Sequence, residues 1–467
     1  MLVVQLPNSV ELGLMRLACE KANILCIPLQ RNLRHRELEY ILSKSEAKGI
    51  VIPWEFQGFN YFNMVEELRP GLPGLKHIMI TGEKVPQGTI SIKEMAENSL
   101  ERKYPSDYLE KTKCPGTEFY LILHTTGTTG LPKLVEYPMA PRFCSNKALI
   151  HYLKLTRDDV LCCFTAAHVG PNGIAYFTAP ELACKTIWVE HFTPEDALKL
   201  IEKERITVGL VVPTVLSRLL SSPELGKYDL SSIRLWWSAG AVLPYQLGLE
   251  TEEKLGGVVL TGLGATDFGG FTILPIDAPQ EERLLSVGKP PEGILEIKLV
   301  DDQGNEVPTG EVGEVWGRGP VCVSGYYKDP EATRQAWTSD GWFKMGDLGK
   351  WDEKGNLVLV GRKKDMIIRA GQNIYPVEIE NLLQSHPGIE AVSIVGIPDN
   401  SLGEKACAFV VLRGGEKFTL IDMIDFLKSK RIAPYKLPER LEIIDRLPLV
   451  ADQKVDKKAL QQLASRQ

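Results

Sequence analysis

The sequence predicts an α/β protein with a large N-terminal domain of helix-covered sheets, a small antiparallel β subdomain, and a small α+β domain at the C-terminus. Three observations predict it. Short apolar runs alternate with amphipathic stretches as far as about residue 290, which implies parallel strands covered by helices. Beyond that point the strands become closely spaced and are joined by Asp/Asn/Gly turns, as in an antiparallel unit. From residue 365 a compact succession of helix, strand, strand and helix follows, and about 100 residues suffice for a separate small domain.

The elements follow in order. Leu2-Val-Val-Gln-Leu6 reads as a buried strand, and a helix opens at Ser9 with Leu14, Leu17 and Ala18 on one face. A chain that begins so abruptly inside a strand implies an element missing upstream. Ile24–Leu29 is apolar again, a helix follows near His35–Ser43, and Gly49–Ile52 is the next strand. The later cycle runs from Thr186–Val189 into a helix capped by Thr193, with Pro194 at its first position and Glu195 and Asp196 in its first turn. Val208–Val212, Ile233–Trp237 and Val258–Leu260 are the following strands. Leu295–Val300 and Glu314–Trp316 predict antiparallel strands, and Asp352-Glu-Lys-Gly355 predicts a hairpin turn. In the last unit we expect helices over Val377–Gln384 and Leu420–Lys428, and strands at Val392–Val395 and Ala408–Leu412. The boundary falls in the charged segment Arg362-Lys-Lys-Asp365, giving a large domain over 1–361, a hinge over 362–365 and a small domain over 366–467.

Composition excludes several classes. The chain has 467 residues, 44% hydrophobic and 24% charged, as in an ordinary globular protein. A net charge of −6 gives no reason to expect nucleic acid or an anionic membrane surface as partner. No apolar segment reaches about 18 residues, so no membrane span is expected, and the N-terminus carries no signal-peptide pattern. Nine cysteines, an odd number without a C-x-x-C pair, fit reduced thiols in a cytoplasmic protein.

The segment His124-Thr-Thr-Gly-Thr-Thr-Gly-Leu-Pro-Lys133 directly follows the apolar run Phe119–Leu123. Glycines let a backbone approach a ligand and turn its N–H groups inward. Threonine hydroxyls add donors and the lysine adds a charge, so the segment suits nucleotide phosphates. Neither the Gly-Lys-Ser/Thr of the common P-loop nor a Gly-x-Gly-x-x-Gly dinucleotide pattern is present.

Read with four further segments, this loop resembles the phosphate loop of the adenylate-forming superfamily, which includes AMP-forming acyl-CoA and aryl-CoA synthetases and aryl-acid AMP ligases. Thr261-Gly-Leu-Gly-Ala-Thr-Asp267 stands where the family has Tyr-Gly-x-Thr-Glu. Gly341-Trp-Phe-Lys-Met-Gly-Asp347 is similar to the Gly-Trp-Phe-x-Thr-Gly-Asp element. Gly361–Gly371 followed by Asn373-Ile-Tyr-Pro-Val-Glu resembles the inter-domain segment, and Leu447-Pro-Leu-Val-Ala-Asp-Gln-Lys454 the C-terminal lysine motif. The five segments occur in the family's order over nearly the whole chain.

The resemblance implies ATP-dependent activation of a carboxylic acid to an acyl-adenylate with Mg²⁺, then transfer to the thiol of coenzyme A. The C-terminal domain would be mobile. Thr125, Thr126, Gly127, Thr128, Thr129, Gly130 and Lys133 would bind the ATP phosphates. Gly262, Leu263 and Gly264 would bind ATP, with Leu263 beside the adenine in place of the family's aromatic and Gly262 also on the acyl-pocket wall. Thr266 would contact the α-phosphate and Asp267 would hold Mg²⁺, one methylene shorter than the usual glutamate. Asp347 would bind the ribose, Arg362 the ribose or phosphate, and Lys364 would occupy the hinge. Lys454 would be the catalytic cation for adenylation, preceded by Gln453 in place of glycine. His168, Val169, Gly170, Ser238, Ala239 and Gly240 would line the acyl pocket, His168 also as a catalytic residue at the thiol tunnel, which Gly371 would line. Two alternatives stay open: an aryl-acid AMP ligase that loads a carrier-protein thiol, and a catalytically impaired nucleotide-binding protein on the same fold.

Overall fold

The computed structural model describes residues 1–112, 118–125, 131–165, 173–399, 401–414, 417–450 and 454–465. Leu2–Val4 is a central strand, paired in parallel with Cys26–Pro28 on one side and Gly49–Pro53 on the other. Burial on both faces explains its uninterrupted apolar sequence. Seven strands make this first sheet, in the order Ile90–Ser91, His77–Thr81, Gly49–Pro53, Leu2–Val4, Cys26–Pro28, Phe119–His124, Leu134–Pro138. Only the last pair is antiparallel. The threonine-rich segment therefore lies between two hydrogen-bonded neighbours, at the end of Phe119–His124.

A second sheet of five parallel strands runs Lys185–Trp188, Val160–Cys163, Val208–Val211, Leu235–Ser238, Val258–Thr261. The helix Pro194–Glu204 covers one face with Ala197, Leu198 and Ile201. Its Thr193 side chain accepts from the Asp196 N–H, as the cap pattern predicts. Glu296–Val300, Gly313–Arg318, Phe343–Trp351 and Leu357–Arg362 form a four-stranded antiparallel sheet. Asp352 closes its last hairpin by accepting from the N–H groups of Lys354 and Asn356. A single 3₁₀ turn, Lys363–Asp365, leads into the C-terminal sheet. There Ile389–Asp399 pairs with Gly403–Leu412, and the helices Pro376–Gln384 and Leu420–Ser429 pack their apolar faces against it.

The first helix corrects one expectation. Val10–Lys21 begins at the Ser9 cap, but Leu14 and Leu17 are 59% and 42% exposed, and Ala18 is exposed too. The buried face is Leu12, Arg16 and Cys19. The helix carries apolar residues almost all the way round, so periodicity alone cannot fix which face turns inward. No helix among the described residues is long and apolar enough to cross a membrane.

Candidate active site

The carboxyl ends of the parallel strands in the first two sheets, the antiparallel sheet and the C-terminal unit enclose one continuous cavity of ≈ 1520 Å³. Strand ends are where open α/β sheets present ligand sites. Its wall contains Thr125, Lys133, Ala239, Gly240, Gly262, Leu263, Gly264, Thr266, Asp267, Asp347, Arg362, Lys364 and Lys454. Thirteen residues chosen from separate sequence segments thus meet in one place.

The two ends of the threonine-rich segment are tied together. The Thr125 N–H donates to the Lys133 carbonyl at 3.0 Å, and the Lys133 N–H donates to the Thr125 hydroxyl at 3.1 Å. Thr126, Gly127, Thr128, Thr129 and Gly130 lie outside the described residues, as do His168, Val169 and Gly170. The Lys133 ammonium rests over the Tyr326 ring, 4.5 Å from its centroid. The Tyr326 hydroxyl donates to Asp267 Oδ2 at 2.7 Å, and the Tyr137 hydroxyl donates to the Thr266 carbonyl. Burial, the neighbouring Asp267 charge and their hydrogen bond raise the pKa of Tyr326, so it stays a donor. Tyr137 and Tyr326 hold the Thr266–Asp267 pair in place and were not singled out by sequence; both reach it from distant segments.

Asp347 is 6% exposed and faces Arg362 on the adjacent strand. Arg362 grips it with two hydrogen bonds, Nε to Oδ1 at 2.9 Å and Nη2 to Oδ2 at 3.3 Å. Burial raises the Asp347 pKa, while Arg362 and Lys454 oppose that rise.

Lys454 starts a short strand, Lys454–Val455, paired with Leu449–Val450. The helix Lys457–Ser465 behind it is anchored by Leu460 and Ala464 against Val395, Cys407 and Phe409 of the C-terminal sheet. The lysine thereby projects from the C-terminal unit toward the large one. Gly240 lies directly in its path: at φ +92° it is in the left-handed region, and a Cβ there would stand 3.6 Å from Lys454 Cε. Lys454 keeps water contact within the cleft, yet protein surrounds most of it. That partial desolvation, and then the Arg362 cation, lower its pKa; Asp347 raises it and Lys364 lowers it.

Two expected residues fall elsewhere. Ser238 is fully buried beneath the cavity rather than on its wall, beside Trp237, which does line it. Strand alternation places these two side chains on opposite faces. Gly371, at φ +80°, turns the hairpin between Ile367–Arg369 and Gln372–Ile374 and does not line the cavity here. Gly262 is small for a structural reason as well: a Cβ would lie 2.4 Å from the Thr272 carbonyl oxygen.

His124, at the mouth of the threonine segment, is 6% exposed, and burial lowers its pKa to about 4, partly offset by its hydrogen bond to the Thr125 carbonyl. The ordinary value is 6.5, so the unfolded chain binds this proton first as pH falls. The stability it contributes is complete above that value and is lost progressively toward the lower one, by about 3 kcal/mol in all. We expect His124→Gln to lose less stability than the parent chain between about pH 7 and about pH 4.5. Urea midpoints at the two pH values check this; equal losses would contradict it.

Comparison with known proteins identifies the family. The sequence pattern of the AMP-binding enzyme family matches residues 1–327, and that of the AMP-binding enzyme C-terminal domain matches residues 378–454. A 2-hydroxy-7-methoxy-5-methyl-1-naphthoate–CoA ligase of Streptomyces carzinostaticus is 32% identical over 99% of this chain and 84% of its own length. A medium-chain fatty-acid–CoA ligase of Escherichia coli K12 is 31% identical over 97% of this chain and 79% of its own. The crystal structure of ATP-bound MatB from Rhodopseudomonas palustris superposes with a TM-score of 0.87 at 28% identity, covering 99% of this chain and 88% of that one. On sequence, fold and the convergence of these side chains, the protein belongs to the AMP-binding enzyme family.

Proposed function

We propose that the protein activates a carboxylic acid with ATP, releasing pyrophosphate, and transfers the acyl group from the adenylate to the thiol of coenzyme A, releasing AMP. The observation that carries this reading is the placement of Lys454 beside Asp347, Arg362 and Gly240, in the same cavity as Thr266 and Asp267. In the first step a substrate carboxylate oxygen bonds to the α-phosphorus and the bond to pyrophosphate breaks. Charge grows on the α-phosphate oxygens, where fixed donors act most strongly. The Lys454 ammonium bridges the carboxylate and the α-phosphate, and the Thr266 hydroxyl donates to the latter. Asp347 accepts from the ribose hydroxyls, and Lys133 leaves the Tyr326 ring for the phosphates.

Asp267 would hold Mg²⁺, its carboxylate kept in place by the hydrogen bond that Tyr326 donates to Oδ2. A single carboxylate suits an ion that takes its other oxygens from phosphates and water, and no cluster of three or more acidic, His or Cys ligands occurs among the described residues. Bound there, the ion would neutralise charge on the leaving pyrophosphate. Asp267→Glu is expected to retain or raise Mg²⁺-dependent turnover, measured as pyrophosphate exchange across a magnesium titration; abolished turnover would show that the metal is held differently.

In the second step the C-terminal unit rotates about residues 362–365, withdraws Lys454 and brings the Gly371 hairpin to the cavity. The thiolate then attacks the acyl carbonyl, a C–S bond forms, and the bond to AMP breaks. The same reading places the protein in the cytoplasm, where ATP and coenzyme A meet. Acid-dependent exchange of labelled pyrophosphate into ATP tests the first step, and its absence across a broad acid panel would favour a non-catalytic nucleotide-binding protein. Acyl transfer to coenzyme A rather than to a phosphopantetheinylated carrier protein tests the second.

A further inference from the structure

Within the same cavity lies a group of charges that adenylation does not use. Arg16, on the first helix, is 5% exposed, and its guanidinium carbon sits 3.7 Å from the Phe177 ring centroid and 4.7 Å from that of Tyr176. Arg142, on the helix Met139–Leu153, also lies over Phe177, at 4.6 Å. One carboxylate, Glu20, serves both. Its Oε2 accepts from Arg142 Nη1 at 2.8 Å, whereas its Oε1 is 3.7 Å from Arg16 Nη2, too far for a hydrogen bond. Arg16 Nε and Nη2 consequently have no hydrogen-bond partner among the described residues.

Two buried guanidiniums against one carboxylate leave a positive charge in a largely apolar setting. Such a charge is costly unless an anion completes it. The aromatic faces hold the Arg16 plane but leave its in-plane N–H donors unused. Those donors form a planar fork that matches a carboxylate. Arg16 and Arg142 line the same cavity as Thr266 and Lys454, along with the apolar Leu12, Leu149 and Ile174.

We propose that this cavity holds a second anion site, built on Arg16 and Arg142, which selects an acid carrying a distal carboxylate in addition to the one that is activated. The assignment rests on the reading of the cavity as an acid-activating site. A site built to hydrogen-bond one substrate group rejects analogues that lack it far more strongly than an apolar wall does.

The test uses the full chain and a homologous series of α,ω-dicarboxylic acids from succinate to sebacate, each paired with its monomethyl ester. Two readouts are taken: pyrophosphate exchange, and calorimetric binding of each acid without ATP. At the chain length that spans the cavity, the diacid should exceed its monoester by on the order of a hundredfold in kcat/KM. In Arg16→Met that ratio should collapse toward unity. Equal use of diacid and monoester throughout, or a ratio that survives Arg16→Met, overturns the proposal. If Arg16→Met does not fold, Arg16→Lys carries the test, because it keeps a charge without the fork: a reduced ratio supports the site and an unchanged ratio refutes it. Selective diacid binding that Arg16→Met abolishes, with no exchange for any acid, would support the anion site while refuting the ligase reading. Neither binding nor exchange with any member would overturn the anion site, while the ligase reading would still be decided by the broad acid panel.

Discussion

Lys454→Ala is expected to slow acid-dependent pyrophosphate exchange by about two to three orders of magnitude while leaving thioester formation from a supplied acyl-adenylate nearly intact. The size follows from removing one preorganised charge, about 3 kcal/mol of transition-state stabilisation. The asymmetry follows from architecture. Lys454 belongs to the C-terminal unit, anchored through Leu460 and Ala464, and meets the large unit near Gly240, Asp347 and Arg362. In the proposed mechanism the C-terminal unit rotates between the steps, so the cation it delivers would serve one half-reaction and leave with the rotation. Uniform loss in both steps would mean that Lys454 acts by holding the units together. A pH profile supplies a second readout. In the proposed adenylation Lys454 would act protonated, and partial desolvation lowers its pKa below the ordinary lysine value. Exchange measured as kcat/KM, which reports the free enzyme, should therefore decline on the alkaline side earlier than an ordinary lysine would allow. Activity that held steady up to the normal lysine range would contradict a titrating Lys454.

The parts of this site that were legible in the sequence are those whose chemistry and position share a short segment. Thr125 and Lys133 close one loop whose composition suits phosphates, and Asp347 ends a short segment that resembles the family's element. The helix cap at Thr193 and the turn at Asp352 are local for the same reason. Side chains that act across long sequence separations were not legible. Tyr326 reaches Asp267 from 59 positions away, and Tyr137 reaches Thr266 from 129. Their residue types carry no signal, since a buried tyrosine is more often packing than a positioning group. Arg16 was hidden in another way. An arginine on a helix with apolar residues almost all the way round carries no signal of burial, whereas the structure buries Arg16 against Phe177. Ser238 and Trp237 show the same difficulty on a strand, where an error of one residue exchanges the cavity wall for the interior.

Asp347→Asn is expected to raise the KM for ATP by on the order of a hundredfold, with little change in the KM for the acid. Asparagine preserves the shape but removes the charge and one of the two equivalent acceptors. Hydrogen bonds to an ionised group contribute about 1.5–3 kcal/mol each, so weakening the pair made by the ribose hydroxyls accounts for a loss of that size. Arg362 donates to both carboxylate oxygens, at 2.9 and 3.3 Å. Each oxygen retains a second lone pair, so the ribose can share Asp347 with Arg362 without displacing it. The Arg362 side chain is 43% exposed, so solvent screens its half of the pair, and the substitution should hardly move the unfolding midpoint. That separation decides the role. A large rise in the KM for ATP with an unmoved midpoint assigns Asp347 to the nucleotide. A falling midpoint with unchanged ATP dependence would make the Asp347–Arg362 pair a clasp between neighbouring strands, and the ribose would have to be held by other groups.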